Sequence, residues 1–265
     1  MKVIRPLTEL ISLKGKRALI TGSAAGIGRA MALRFAEAGA DLQLVDMDAR
    51  RLSATKRELS RFESKTDTYR VDISKKQEID ALWEKLRGLE PDILVNNAGV
   101  YPFKGFLEVD RDFLNKIMDV NLNSVFMMCQ NMIRTRMKKG GVIINIGSIE
   151  AIMPLAHDLI PYSLSKIGVI ALTRSLAKEY GNRGFRINVI IPGGIIPSGA
   201  KAIIKELKHL NTGLIKTGIQ FKMRLPLNRG GQPDEVARIA LVLASDLSSY
   251  VHGALIPVDG GFLSA

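Results

Sequence analysis

Tyr162 and Lys166 stand four residues apart in the run Tyr162-Ser163-Leu164-Ser165-Lys166, a spacing that on a helix sets both side chains on one face. A phenol beside an ammonium can move protons, because the positive charge favours the phenolate. Such a base can take the proton of an alcohol while hydride leaves the carbinol carbon. A free tyrosine titrates near ~10, so base catalysis at neutral pH needs a fall of roughly three units, about 4 kcal/mol. Two positive charges in a water-poor cleft are of the size to supply it. Ser148, fourteen residues upstream, has a hydroxyl that can donate to the substrate oxygen and hold it near the phenol. Glu150 and His157 fall between the two, where each suits either a polyol hydroxyl or the support of a loop.

A second group of residues suits an anion. Gly22-Ser23-Ala24-Ala25-Gly26-Ile27-Gly28 has the spacing G-x-x-x-G-x-G and sits where a strand gives way to a helix. Without Cβ atoms the backbone turns tightly and can approach a pyrophosphate, which the free N–H groups and dipole of the helix start then favour. Asp46 ends the next strand, about where a carboxylate meets an adenosine ribose in this arrangement. A carboxylate there accepts from both ribose hydroxyls and repels a 2′-phosphate, which favours NAD over NADP. Arg50 and Arg51 keep NADP open, and Asp46 could instead cap the following helix.

These residues need a frame, and the hydropathy pattern supplies one. Short apolar runs at 17–21, 42–46, 68–71, 93–95, 142–146, 186–191 and 254–258 read as strands. Between them lie helical patterns. Ile27, Ala30, Met31, Phe35 and Ala38 share one face, Gly39 stops that helix, and a charged helix runs on to about Glu63. The alternation predicts an α/β fold: a Rossmann-type, doubly wound, mostly parallel seven-stranded sheet with helices on both faces. The 265 residues show no repeat or linker and suit one domain. The segment 199–226 breaks the rhythm beyond the sixth strand and suits a substrate lid. It carries Lys201, Lys205, Lys208, Lys216, Lys222 and Arg224 against Glu206 alone, which reads as a solvated helix face or as attraction for an anionic substrate.

Composition narrows the classes. Cys129 is the sole cysteine and lies in an apolar run, so no intrachain disulfide forms and a core role is expected. Residues 1–15 show no signal-peptide centre, and no apolar stretch is long enough for a membrane span; a cytoplasmic protein is expected. The net charge of +12 is spread through many segments, without zinc-finger, basic-heptad or RNA-binding signatures, so no nucleic-acid partner is expected. The histidines at 157, 209 and 252 lack ligand spacing, and no metal site is expected.

Taken in order, the glycine turn, Asn96-Asn97-Ala98-Gly99, Ser148, Tyr162 with Lys166, and Val258-Asp259-Gly260-Gly261 resemble the classical short-chain dehydrogenase/reductase family, from about Lys14 to Phe262. The resemblance implies an NAD(P)-dependent oxidoreductase in which Asn121, Ser148, Tyr162 and Lys166 are catalytic. Lys166 would also hold the nicotinamide ribose, and Asn121 would support a water-linked proton path. Gly22, Ser23, Ala25, Gly26, Ile27, Gly28, Asp46 and Met47 would bind the coenzyme, with Asp72 and Ile73 beside the adenine. Asn97, Ala98, Gly99 and Val120 would border it, and Val189, Pro192, Gly193 and Ile195 would lie near the nicotinamide. Family members usually place a threonine just beyond this Pro-Gly; here Ser198 stands nearby in its stead.

The expected substrate is a small secondary alcohol or carbonyl compound: a sugar, polyol or hydroxy acid, contacted by Ser148, Glu150 and Tyr162. The alternative is a 3-oxoacyl-thioester reductase, for which Lys139 and Arg183 resemble the basic residues that face a carrier protein. A dinucleotide-binding regulator without catalysis is a third reading, opposed by the complete Ser148, Tyr162 and Lys166. The resemblance also implies a homotetramer, with helices at 110–137 and 162–180 buried between subunits.

Overall fold

The structure, a computed structural model, describes residues 4–196 and 224–265. The strands are β1 (Arg17–Thr21), β2 (Asp41–Asp46), β3 (Thr66–Arg70), β4 (Ile93–Asn96), β5 (Gly141–Ile146), β6 (Phe185–Pro192) and β7 (Leu255–Val258). Among the described residues they form one sheet in the order β3-β2-β1-β4-β5-β6-β7, and every pairing is parallel. All seven fall where the apolar runs place them, with ends shifted by up to two residues. The helices are α1 (Leu7–Ile11), α2 (Gly26–Glu37), α3 (Ala49–Leu59), α4 (Lys76–Lys85), α5 (Arg111–Met118), α6 (Ser124–Arg136), α7 (Ile160–Tyr180) and α8 (Pro233–Ala244).

Side chains alternate across each strand, so the sheet feeds two cores. Leu19, Leu94, Ile143 and Ile187 pack against Trp83 of α4, Met128 and Met132 of α6, and Val169 of α7. On the other face Ala18, Ile20, Val95 and Ile144 meet Phe35 of α2, Leu52 of α3 and Val236 of α8. Each fully buried Leu, Ile or Phe contributes about 1.5–3 kcal/mol. Cys129 belongs to the first core and burial pushes its thiol up to about 12, which makes it inert packing.

Two helices depart from expectation. The α3 helix ends at Leu59 rather than near Glu63, because the Ser60 hydroxyl turns back onto the Arg57 carbonyl at 2.7 Å and Phe62 reaches the core from the turn beyond, with its N–H on the Leu59 carbonyl. The segment read as one helix from 110 to 137 is parted by a π-helical turn, Asp119–Asn123, between α5 and α6. That wider turn carries Asn121 into the protein interior.

From β1 the sheet builds outward to β3, then the chain returns to place β4 on the other side of β1. This reversal opens a crevice beyond the carboxyl ends of β1 and β4, where an open α/β sheet binds its ligands. The glycine turn leaves β1 there, Asn97 follows β4 and Ser148 follows β5.

Candidate active site

Thr21 organises the crevice floor. Its Oγ1 accepts from the N–H groups of Asn97 (3.0 Å) and Ala98 (3.1 Å), while the Asn97 amide donates to the carbonyls of Thr21 (2.9 Å) and Gly22 (3.1 Å). The two loops are therefore locked together. Gly22 has φ +65, and a Cβ there would lie 2.8 Å from Ala98 Cα; at Gly28 it would lie 2.2 Å from the Gly22 carbonyl oxygen. The Ser23 hydroxyl is buried and donates to the Val45 carbonyl. Ala25 begins α2 in an extended conformation and supplies no side-chain cap, leaving the first-turn N–H groups of Gly26, Ile27 and Gly28 available to an anion. A pyrophosphate fits this cradle. Gly28→Ala is expected to weaken dinucleotide binding at least ~10-fold, because the added methyl must push the turn open. A fluorescence titration, run with a thermal melt, measures it.

Asp46 braces the same turn. Its carboxylate accepts from the N–H groups of Ala24 and Asp48, each at 3.0 Å, while the cap of α3 is Asp48 and not Asp46. Met47 is exposed beside it. Asp72 accepts from the Ser74 hydroxyl (2.7 Å) and amide, which hold its carboxyl below the usual range, and Ile73 is buried next to it. Pro192 closes β6; Gly193 follows, where a Cβ would lie 2.7 Å from Asp259 Cα. Val189 is buried within β6, and Ile195 bridges to Gly231. Ser198 and all of the lid segment except 224–226 lie outside the described residues.

Ser148, Tyr162 and Lys166 come together at the carboxyl end of β5. Ser148 is buried and caps the turn Ile149–Ala151 by accepting the Glu150 N–H at 3.2 Å. Pro161 helps to start α7, so Tyr162 sits in its first turn and Lys166 one turn on. Lys166 is 4% exposed, its Nζ donates to the Ile146 carbonyl at 2.8 Å, and burial brings its pKa down to about 8. The ammonium lies 5.9 Å from the centre of the Tyr162 ring.

The phenol does not follow the simple electrostatic expectation. Burial pushes the Tyr162 hydroxyl up, Glu150 and Tyr101 oppose its ionisation further, and the hydroxyl of Ser148 pulls the other way. Lys166 fails to reverse this in the protein alone because its ammonium is turned to the Ile146 carbonyl. Desolvation outweighs a charge aimed elsewhere.

Asn121 is fully buried in the π turn, and π turns often mark working sites. Its Oδ1 accepts from the Val100 N–H and its Nδ2 donates to the Val100 carbonyl, both at 2.8 Å; Nδ2 also reaches Ser165 Oγ at 3.1 Å. Ser165 in turn donates to the Tyr162 carbonyl at 2.6 Å. One amide thus joins the loop after β4 to the first turn of α7, which carries Tyr162, and neighbouring Val120 packs on the core. At Gly99 a Cβ would lie 3.2 Å from Asn121 Oδ1 and 3.5 Å from Lys166 Nζ.

Glu150 is half-buried and accepts from the N–H groups of Leu155 (3.0 Å) and Ala156 (3.3 Å), so it supports its own loop, on which His157 is exposed. Burial pushes the Glu150 carboxyl up.

Sequence reasoning missed two contributors. Besides Thr21, a buried chain runs from Asn96 to Asn145 and on to Thr173 of α7, each step 2.9 Å, and fixes how α7 presents Tyr162. Asparagines inside strand patterns were the available signal. Lys139 and Arg183, by contrast, are exposed in the turns entering β5 and β6, at the opposite end of the sheet from Ser148. Among the described residues no cluster of side chains could hold a metal, and no helix is long and apolar enough to cross a membrane.

Comparison with known proteins agrees with this geometry. A family model described as enoyl-(acyl carrier protein) reductase matches residues 22–263. The chain is 36% identical over 261 residues to the 2-dehydro-3-deoxy-D-gluconate 5-dehydrogenase of Bacillus subtilis, covering 97% of this chain and 98% of that one. It is 34% identical over 255 residues to the 3-oxoacyl-(acyl-carrier-protein) reductase of Aquifex aeolicus, covering 95% and 98%. The solved L-sorbose reductase of Gluconobacter frateurii, complexed with NADPH and L-sorbose, superposes with a TM-score of 0.88 at 30% identity, over 97% of this chain and 99% of that one. Matches of this length and similarity, on a sheet of the same build, establish that the chain belongs to the short-chain dehydrogenase/reductase family of oxidoreductases.

Proposed function

We propose that the protein interconverts a secondary alcohol and a carbonyl on a sugar, polyol or hydroxy acid, with NAD as the preferred coenzyme. The observation that carries this reading is the gathering of Ser148, Tyr162 and Lys166 at the end of β5, beside the uncapped start of α2. Bound NAD(P) would supply the carbon that takes or returns hydride. Ser148 holds the substrate oxygen, and Tyr162 takes its proton in oxidation and returns it in reduction. Lys166, with its pKa near 8, exchanges protons close to neutral pH and holds the nicotinamide ribose. Asn121 supports a water-linked path for that proton.

The Bacillus and Gluconobacter relatives support a sugar-like substrate. Asp46 supports NAD, although the Gluconobacter enzyme was solved with NADPH. The second reading, 3-oxoacyl-thioester reduction, is favoured by the Aquifex relative. The position of Lys139 and Arg183 away from Ser148 speaks against it within one subunit. We also propose a cytoplasmic homotetramer joined through α6 and α7, where Phe126, Leu164 and Ile167 are exposed; light scattering tests the assembly.

The deciding experiment is a coenzyme-fluorescence screen of sugars, sugar acids, polyols and acetoacetyl thioesters, in both directions and with both coenzymes. Sugar or polyol turnover with NAD is expected, and thioester reduction dominated by NADPH would reverse the order of the two readings. In the same assay Asp46→Ser is expected to raise the NADP-to-NAD ratio of kcat/KM at least ~10-fold, since it removes the charge that repels a 2′-phosphate.

A further inference from the structure

Tyr101 stands out because it is aromatic, 67% exposed, and still in ring contact with the catalytic phenol. The centroids of Tyr101 and Tyr162 are 6.3 Å apart with the planes at 67°, an edge-to-face pair. Exposed aromatic rings are common, but this one is held. Just before it, Val100 has both backbone polar groups bonded to Asn121. Just after it, the Lys104 N–H donates to the Asp158 carbonyl at 3.0 Å, and the Lys104 ammonium pairs with Asp110. Asp158 adopts φ 64, a left-handed conformation that a residue with a Cβ rarely takes. Backbone strain of this kind gathers at sites where a loop is held for a purpose. The 99–104 segment and the 150–159 loop are therefore stitched into one wall, with the Tyr101 ring standing from it beside the reacting hydroxyl.

We propose that Tyr101 is a specificity-determining residue: its ring face receives the C–H flank of the substrate carbons beyond the reacting centre, while the reacting oxygen lies between Ser148 and Tyr162. This rests on the sugar reading above and sharpens it. A sugar derivative has two characters, hydroxyl groups for Ser148 and Tyr162 and a row of C–H bonds that carries slight positive charge. An aromatic face is electron-rich, so it attracts that row. Because the wall is fixed before the substrate arrives, little ordering entropy is lost on binding. A three-carbon substrate reaches the hydroxyls but has no flank to lay on the ring. Binding by remote carbons of this kind raises kcat/KM for the longer substrate alone.

The test compares L-sorbose and 5-keto-D-gluconate with dihydroxyacetone, which reproduces the reacting end of a ketose without the remaining carbons. In wild type, Tyr101→Ala and Tyr101→Phe, kcat/KM is measured in the reducing direction, and NADH binding and a thermal melt report folding. Tyr101→Ala is expected to lower the ratio of six-carbon to three-carbon kcat/KM by about fivefold or more, mostly through KM, with Tyr101→Phe within about twofold of wild type. An unchanged ratio in Tyr101→Ala, with the wild type active on a six-carbon ketone, overturns the role of Tyr101 and leaves the sugar reading intact. A wild type that reduces neither six-carbon ketone sinks the sugar reading itself, before any variant is compared.

Discussion

Tyr162→Phe is expected to bind NADH as tightly as the wild type and to lose about 10³-fold in kcat, within the range seen when a general acid–base is removed. The substitution deletes one oxygen and keeps the ring, so the contacts to Tyr101 and Lys166 survive. Ser165 bonds to the backbone carbonyl of residue 162 and does not depend on the hydroxyl. Folding is therefore spared while the proton has nowhere to go. Because burial raises the phenol, wild-type oxidation should climb as pH rises and reduction should fall, with Tyr162→Phe flat in both. Turnover within tenfold of wild type would remove Tyr162 from the proton step.

Lys166→Met should do the opposite to stability and activity: a firmer fold and a nearly dead enzyme. Burial takes the lysine from 10.5 to about 8, which at ~1.36 kcal/mol per unit is a folding cost of about 3 kcal/mol. The Ile146 carbonyl loses its donor in the variant, at ~1 kcal/mol, so a net gain of about 2 kcal/mol is expected at pH 7. The size of this gain depends on pH. Below about 8 both folded and unfolded chains carry the charge, and folding must strip it of water. Between about 8 and 10.5 the unfolded chain binds the extra proton, so rising pH stabilises the wild type. The advantage of Lys166→Met should therefore shrink across that window. Denaturant unfolding of both proteins at pH 7 and at pH 10.5 measures it, and an equal gap at the two would refute a charged, desolvated amine.

Both expectations start from residues that were legible in the chain, and the fold was legible for the same reason. Ala18, Leu19 and Ile20 form an uninterrupted apolar run, as a strand buried on both faces must, and Gly22 and Gly28 mark a turn where no Cβ fits. Spacing alone put Tyr162 and Lys166 on one face. What spacing could not show was where the lysine would point. Its bond to Ile146 and the weight of desolvation decide the phenol, and both depend on neighbours distant in sequence. Glu150 was hard to place for a similar reason: a carboxylate serves a ligand or its own loop according to which N–H groups come near, here those of Leu155 and Ala156. Thr21 gave no signal because a threonine ending a strand is common, and its two acceptor bonds come from a loop over 70 residues away.

The widened turn at Asp119–Asn123 has a consequence for how a single rod can serve two masters. An ideal α-helix advances each side chain by about 100°, so in an unbroken helix Val125, eight residues beyond Ile117, would stand about 80° out of step with it. The looser turn slips the phase. Ile117 and the α6 residues Val125, Met128 and Met132 are all buried, while Asn121 is left over to bond to the loop after β4. Deleting one residue here would restore a uniform rod with Ile117 and Val125 about 20° apart, and would remove the extra place that Asn121 fills. The same part therefore acts as a vernier, setting the Asn121 amide without disturbing the packing on either side.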